Sequence, residues 1–206
     1  YGKTTLLAAL YAQAHDKAVG WLALDEEDND PVRFLLALVT ALQKVQPGLG
    51  VTVQSLLTDI EKPTAEMRRV ISLLINELVE QPAELWLLLD DLHVINEPAI
   101  YAALDYLLER LPPQLHLLIA TRHDPPLALA RLRARGQLAE VRVPDLRFTT
   151  AEATLFLNEK LHLSLTTMDL ATLQTRAEGW AAGLRLLAGS LDHIPSARER
   201  SAFIQD

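Results

Sequence analysis

Apolar positions along the chain fall into short unbroken runs separated by stretches of helical spacing. The runs are Ala18 to Leu24 (AVGWLAL), Leu85 to Asp90 (LWLLLD) and Leu115 to Thr121 (LHLLIAT). Each is short for a helix and stops at polar residues, so the pattern predicts buried strands. Glu140 to Val143 reads as a fourth, shorter strand. Between the runs, apolar residues recur every three or four positions. Leu6, Leu7, Leu10 and Ala14 form one such stripe. Phe34, Leu35, Leu38, Val39 and Leu42 form another, opened by Asp30-Pro31 and closed by Pro47-Gly48. A proline in the first turn costs little, because the N–H it lacks has no helical partner there. Helices are likewise predicted from Thr64 to about Glu80, from Glu97 to Leu111 before Pro112-Pro113, and from Leu127 to Arg135 before Gly136. Residues 48–63 carry an irregular signal. Continuous apolar strands alternating with helices predict an α/β fold, a parallel sheet covered by helices on both faces.

Beyond Pro144 the pattern is helical only. Thr149-Thr150-Ala151-Glu152 spells a capping box, in which a hydroxyl and a carboxylate three residues apart satisfy each other's backbone N–H. Thr166-Thr167-Met168-Asp169 opens a second helix that ends at Gly179, Trp180 begins a third that runs to about Leu191, and Ser196 is placed to cap a fourth. The boundary is therefore set near residue 144, with an α/β domain over 1–144 and a small all-helical domain over 145–206.

Composition narrows the class. Half of the 206 residues are hydrophobic and 22% are charged, which describes a globular chain. The longest apolar run, Leu85 to Leu89, is far below the roughly 18 to 20 residues that span a bilayer, so no membrane partner is expected. The absence of cysteine excludes a disulfide framework and thiolate metal sites, and fits a cytoplasmic protein. The formal net charge of −8 argues against direct nucleic-acid contact by this segment, because phosphate binding needs a basic face. The chain begins with Tyr1 and enters a helical pattern within a few residues, with no strand before it. It ends at Ser201 to Asp206 without a helix-terminating Gly or Pro. Both ends read as cuts in a longer chain.

Candidate chemistry gathers at three places. Gly2-Lys3-Thr4-Thr5 matches the second half of a phosphate-binding loop, G-x-x-x-x-G-K-[ST]. In that loop backbone N–H groups wrap the phosphates, the lysine reaches the β/γ oxygens and the hydroxyl holds Mg²⁺. The first glycine would precede residue 1. Helix N-termini favour anions, and the segment lies just before a strand–helix alternation. The competing reading is a solvated first-turn lysine. Leu85 to Asp91 has the form of a Walker B segment: a buried strand delivers Asp90 to the carboxyl edge of the sheet, where ligands of open α/β sheets bind. Asp90 would support the Mg²⁺ shell, and Asp91 would orient or deprotonate an attacking water. The competing reading is a strand-to-loop transition with two solvated acids. Arg122, in Thr121-Arg122-His123-Asp124 after the third strand, is placed to sense a γ-phosphate, or else is a surface arginine. The six histidines show no ligand spacing, so no metal is expected beyond Mg²⁺ carried with ATP or ADP. Arg131, Arg133 and Arg135 form a local basic run that reads as a solvated helix face.

Several segments resemble, in order and over nearly the whole chain, the nucleotide-binding region of MalT-type regulators of the LuxR family, signal-transduction ATPases of the STAND class. They are Tyr1 to Leu7, Trp21 to Pro31, Leu88 to His93, Thr121 to Leu127, Leu129 to Leu138, Asp145 to Thr149 and Glu178 to Leu184. The more specific pieces are the acidic loop Asp25 to Asp30, the arginine-rich helix and Glu178-Gly179-Trp180-Ala181-Ala182-Gly183-Leu184. The resemblance implies a P-loop NTPase sheet whose first strand is missing here, and downstream sensor and DNA-binding modules that are also absent. It implies an ATP-dependent switch: a closed monomer with ADP, an open self-associating form with ATP and an inducer, and slow hydrolysis as the reset. Gly2, Lys3, Thr4, Thr5, Asp90 and Arg122 would bind the nucleotide, Thr4 and Asp90 would support Mg²⁺, and Asp91 would be catalytic. The small-molecule inducer would act through the absent modules. The alternative is a P-loop ATPase or small-molecule kinase unconnected with transcription, which would need an acceptor site and an arginine-rich lid; neither is visible in the sequence.

Overall fold

A computed structural model describes residues 2–14, 17–58 and 63–205. Tyr1, Asp16 and Asp206, which figure in the sequence reading, and part of the irregular stretch before Pro63 lie outside the described residues. The chain divides into two compact units, Thr4–Leu138 and one made chiefly of Ala139–Asp206.

The first unit is an α/β layer structure. Three strands, β1 (Ala18–Ala23), β2 (Leu85–Asp90) and β3 (Leu115–Ile119), form a parallel sheet in the order β1-β2-β3. Ala18 pairs with Leu85 and Leu85 with Leu115, so the strands start level and end at one common edge. Alternation along each strand separates two faces. On one face Leu85, Leu87, Leu89, Leu22 and Leu115 meet α2 (Pro31–Gln43), α3 (Val51–Thr58), α4 (Pro63–Val79) and α5 (Pro98–Glu109) in the main core. Phe34, Leu38, Leu42, Leu78, Leu104 and Leu107 are fully buried there. Each such side chain contributes about 1.5–3 kcal/mol of burial, so this face dominates the stability of the unit. Gly20 is required by the packing: a Cβ on it would stand 2.6 Å from the carbonyl oxygen of Ala41 in α2. On the opposite face Val19, Leu88 and Ala120 pack on Leu7 of α1 (Lys3–Gln13), beside the half-buried Trp21, Trp86 and Leu118. This cover is thin, and Leu10 and Tyr11 of α1 remain exposed.

Two local expectations change. Residues 139–142 are irregular rather than a fourth strand, and Val143–Leu146 forms one helical turn, α7. The turn is set by Pro144 in its first positions and by Asp145, whose carboxylate accepts the Arg142 N–H at 2.7 Å. Val141 and Val143 are exposed, so no neighbouring strand holds this segment extended. Within the stretch read as irregular, α3 buries Val53 and Leu57, and the Glu77 carboxylate accepts the Gly50 N–H at its start. Between β3 and α7, the basic run occupies the short helix α6 (Leu129–Ala134), closed at Gly136, whose φ is 64°. Arg131 pairs with Glu109, and Arg133 lies 3.8 Å from Asp124. Arg131 and Arg110 together hold the Glu109 carboxyl below its ordinary range, the Arg131 hydrogen bond contributing most.

The second unit is helical: α8 (Thr150–Thr154) continuing into a wider-wound π segment (Leu155–Lys160), then α9 (Thr167–Arg176), α10 (Ala181–Leu191) and α11 (Ala197–Gln205). Its own core is Ala153, Leu157, Leu163, Leu170, Leu173, Leu184, Ala188, Leu191 and Ile204. The capping boxes at Thr149–Glu152 and Thr166–Asp169 both form, and Ser196 caps α11. Asp169 is 1% exposed and ties α9 to α11. It accepts from the Thr166 N–H (3.0 Å) and hydroxyl (2.7 Å), the Ser201 hydroxyl (2.8 Å) and the Gln205 amide (3.2 Å). Burial pushes its carboxyl up, and the hydrogen bonds from Thr166, Ser201 and Gln205 outweigh that and hold it below its ordinary value.

Two outcomes are expected from this architecture. The far edge of β3 has no strand partner among the described residues, and Leu115 to Ile119 carries neither Lys nor Pro to guard it. The isolated 206-residue chain should therefore self-associate, and a cooperative unfolding transition of a monomer, seen by light scattering and calorimetry, would contradict this. The second concerns Asp169. Its depressed carboxyl contributes stability that is fully present above the unfolded-state value of about 3.9 and is lost as pH falls through the folded-state value. Amide-exchange protection across 166–205 in the full-length protein should drop below about pH 4 in the wild type, and should be low and flat in Asp169→Asn. Equal acid sensitivity of the two proteins would rule the linkage out.

Candidate nucleotide-binding site

The common carboxyl edge of the sheet collects the polar residues singled out in the sequence. Gly2, at φ 81°, turns the chain into α1, whose first turn holds Lys3, Thr4 and Thr5 and no acidic residue. The Thr4 hydroxyl lies 3.4 Å from Oδ1 of Asp90, joining the head of α1 to the end of β2 across 86 positions of sequence. Asp90 is 3% exposed, because β2 is central in the sheet and its last residue still pairs with Ala23 of β1. The same Oδ1 accepts the Asp91 N–H at 3.0 Å. A buried carboxylate beside a hydroxyl is a hard-oxygen donor set, the chemistry that suits Mg²⁺.

β2 stops at Asp90, and Asp91 takes a left-handed conformation at φ 58°, ψ 35°. Asp is among the few non-glycine residues that tolerate it. The turn breaks the strand alternation between the two acids: Asp90 stays buried, while the Asp91 side chain is 47% exposed. Oδ1 of Asp91 is 3.6 Å from Nδ1 of His93, whose side chain is mostly buried. The His93 ring meets the edge of His123, with centroids 6.2 Å apart and planes at 87°. His123 and the exposed Arg122 lie in the loop that follows β3, where the Thr121 hydroxyl donates to the His123 carbonyl at 2.9 Å. No carboxylate among the described residues pairs with Arg122. No cluster of three or more His, Asp and Glu able to hold a metal occurs among the described residues.

Sequence reasoning passed over His93. The signal was available as Asp-x-His immediately after a strand end, a spacing that closes one short turn, Leu92–Val94, and returns the ring to the acid. Two further residues act on that turn. The Tyr101 hydroxyl, from α5, donates to the Ile95 carbonyl (2.9 Å) and lies 3.3 Å from that of Leu92. Asn29, from the acidic turn after β1, reaches the backbone at 94, 96 and 97. The acidic turn is held by one cation. Arg33 pairs with Asp25, Glu27 and the buried Asp28, and its guanidinium is driven further toward the charged form, chiefly by the Asp28 hydrogen bond.

The fold and this edge together define a P-loop-like α/β unit followed by a helical unit. No family model matches the chain. Across 202 residues, 98% of its length, it is 36% identical to the HTH-type transcriptional regulator MalT of Serratia proteamaculans and equally to that of Yersinia enterocolitica. It is 30% identical over 193 residues to MalT of Vibrio cholerae. The chain belongs, over this region, with the MalT-type regulators; it spans 21–22% of the length of these relatives. Among the described residues no helix is long and apolar enough to cross a membrane.

The geometry gives a direct test of the site. If the head of α1 cradles the phosphates of ATP, Lys3→Ala in the full-length protein should abolish most ATP affinity, because a charged contact would be removed. Unchanged affinity by titration calorimetry would dissolve the assignment of the helix head as a phosphate cradle.

Proposed function

We propose that this region is the ATP-binding switch of a cytoplasmic MalT-type transcriptional regulator, in which nucleotide binding and slow hydrolysis control conformation and self-association. The observation that carries the reading is the 3.4 Å approach of the Thr4 hydroxyl to the buried Asp90 carboxylate at the head of α1. It brings the head of α1 and the end of β2, 86 positions apart in sequence, to one edge of the sheet. The relatives named as transcriptional regulators support the wider role.

In this reading the N–H groups at the head of α1 and the Lys3 ammonium take the β- and γ-phosphates. Thr4 and Asp90 would hold Mg²⁺, whose charge would offset that of the phosphates. Thr5 supports the phosphate side of the same turn. Arg122 senses the γ-phosphate from the loop after β3. Asp91 accepts hydrogen bonds from the attacking water, and His93 restrains its carboxylate. A switch requires contacts that differ between the ATP and ADP states, since a ligand bound equally by both shifts nothing. Lys3, Thr4, Asp90 and Arg122 are the candidates to supply that difference. The inducer acts through other parts of the regulator, and self-association belongs to the ATP state.

The division of labour between the two acids has a clean test. Asn, like Asp, tolerates the left-handed conformation at position 91, so Asp91→Asn removes charge without adding backbone strain. It should leave ATP binding nearly intact, slow hydrolysis by roughly 10²-fold or more, and raise basal transcriptional activity by prolonging the ATP state. Asp90→Asn should instead weaken Mg²⁺-dependent binding and lower activity. Single-turnover hydrolysis with reporter assays would separate them; identical behaviour of the two variants would defeat this assignment.

A further inference from the structure

The segment 91–97 carries Asp91 and His93, and its conformation is not one the backbone would keep unaided. Asp91 is left-handed, a conformation that persists where the surroundings over-determine it. Within the segment the Val94 N–H reaches the Asp91 carbonyl at 3.0 Å and the Ile95 N–H the Leu92 carbonyl at 3.1 Å. The Asp91 N–H reaches the Asp90 carboxylate and the Leu92 N–H the Ala120 carbonyl, and further backbone groups of the segment are met by two side chains on two different elements. From the turn after β1, the Asn29 amide donates to the Val94 carbonyl at 3.0 Å. Its oxygen accepts the Asn96 N–H at 2.6 Å and the Glu97 N–H at 3.1 Å. Two N–H donors facing one atom fix which end of the amide is oxygen. From α5, Tyr101 places its hydroxyl between the Leu92 and Ile95 carbonyls. Burial pushes this phenol up, so it stays a donor.

The Asn29 anchor is itself held. Asp28, 5% exposed, accepts the Asp25 N–H at 2.9 Å and pairs with Arg33, while the Asn29 amide also donates to the Glu26 carbonyl at 3.0 Å. The acidic turn is thus a capped block, cross-linked by Arg33 and fixed to the carboxyl end of β1, gripping the loop at the carboxyl end of the neighbouring β2. A carboxylate that must present one oxygen to a water needs such support: a displacement of about 1 Å at a reacting group costs on the order of 10²-fold in rate.

We propose that Asn29 and Tyr101 are positioning residues for ATP hydrolysis, clamping the 91–97 loop from two sides so that Asp91 and His93 face the attacking water. This rests on the ATP-switch reading above. The Asn29 side chain bonds to backbone groups, so it acts through the loop backbone. The acidic turn is therefore a brace for the hydrolytic loop, and Asp25, Asp28 and Asp30 cap its backbone while Arg33 cross-links it.

The test uses the full-length protein with Asn29→Ala and Tyr101→Phe, each alone and combined with Asp91→Asn, and measures ATP and ADP affinity and single-turnover hydrolysis. Asn29→Ala should keep nucleotide affinity within about twofold while lowering turnover roughly 10- to 100-fold. Tyr101→Phe, which removes only the hydroxyl, should lower turnover by about 3- to 10-fold. In the Asp91→Asn background neither change should slow turnover further, because both act through Asp91. Wild-type turnover in both variants overturns the inference, as does a loss of equal size in the Asp91→Asn background, or a loss of affinity that matches the loss of rate. If Asn29→Ala fails to fold, Tyr101→Phe carries the same comparison. A wild-type protein that neither binds nor hydrolyses ATP overturns the switch reading and this inference with it, whereas normal wild-type hydrolysis with unaffected variants overturns this inference alone.

Discussion

The position of β2 governs the rest of the molecule. It is paired on both sides, by β1 and β3, and covered on both faces by apolar side chains. A parallel strand so enclosed has no room for a polar group except at its ends, where the ladder stops. Asp90 occupies that end and stays buried, which is tolerable only because the Thr4 hydroxyl and the Asp91 N–H meet one of its oxygens. Burying this carboxylate therefore requires α1 to bring its head to the same edge. The one constraint, a charged group at the exit of a dry strand, fixes the helix, the loop and the site together.

The loops leaving this edge are tied to one another rather than left to solvent. The turn after β1 grips the loop after β2 through Asn29, and α5 grips it through Tyr101. The loop after β3 meets it through the Leu92 N–H, which reaches the Ala120 carbonyl at 3.0 Å, and through the His93 and His123 rings. Loops that carry function on a rigid scaffold need this kind of cross-linking, because mobile side chains lose the geometry that catalysis requires. The strain at Asp91 is sustained by these ties.

Much of the architecture was legible in the sequence because it is periodic. The three apolar runs became strands close to their expected limits, and helical spacing, Pro at first turns and the two capping boxes located most helices. The expected site residues also came to one edge, since strand ends and helix heads are placed by topology. What escaped had no period. Residues 140–143 alternate like a strand, but a strand exists only if another pairs with it, and Pro144 with Asp145 turned the segment into a helical turn. Glu77 starts α3 from a distance of 27 positions. The left-handed turn at Asp91 and the remote bonds of Asn29 depend on which backbone groups happen to lie opposite, and no local pattern announces that.

Arginines at the surface divide into those held by a carboxylate and those without one, so position rather than pairing sets Arg122 apart. Arg33, Arg110, Arg131 and Arg133 each sit against a carboxylate of their own unit, as does Arg147 near Glu178 in the helical unit. Exposed pairs of this kind are worth little individually, about 0–1 kcal/mol, but they leave no net field at their positions. Arg122, exposed in the loop after the strand beside β2, has no carboxylate partner among the described residues, and neither have the exposed Arg135, Arg176, Arg185 and Arg198. In a chain of net charge −8, acidic groups to neutralise an arginine are plentiful. What distinguishes Arg122 is its place, in the loop at the same edge of the sheet as the Asp90–Thr4 contact, whereas Arg131 and Arg133 of α6 lie against Glu109 and Asp124.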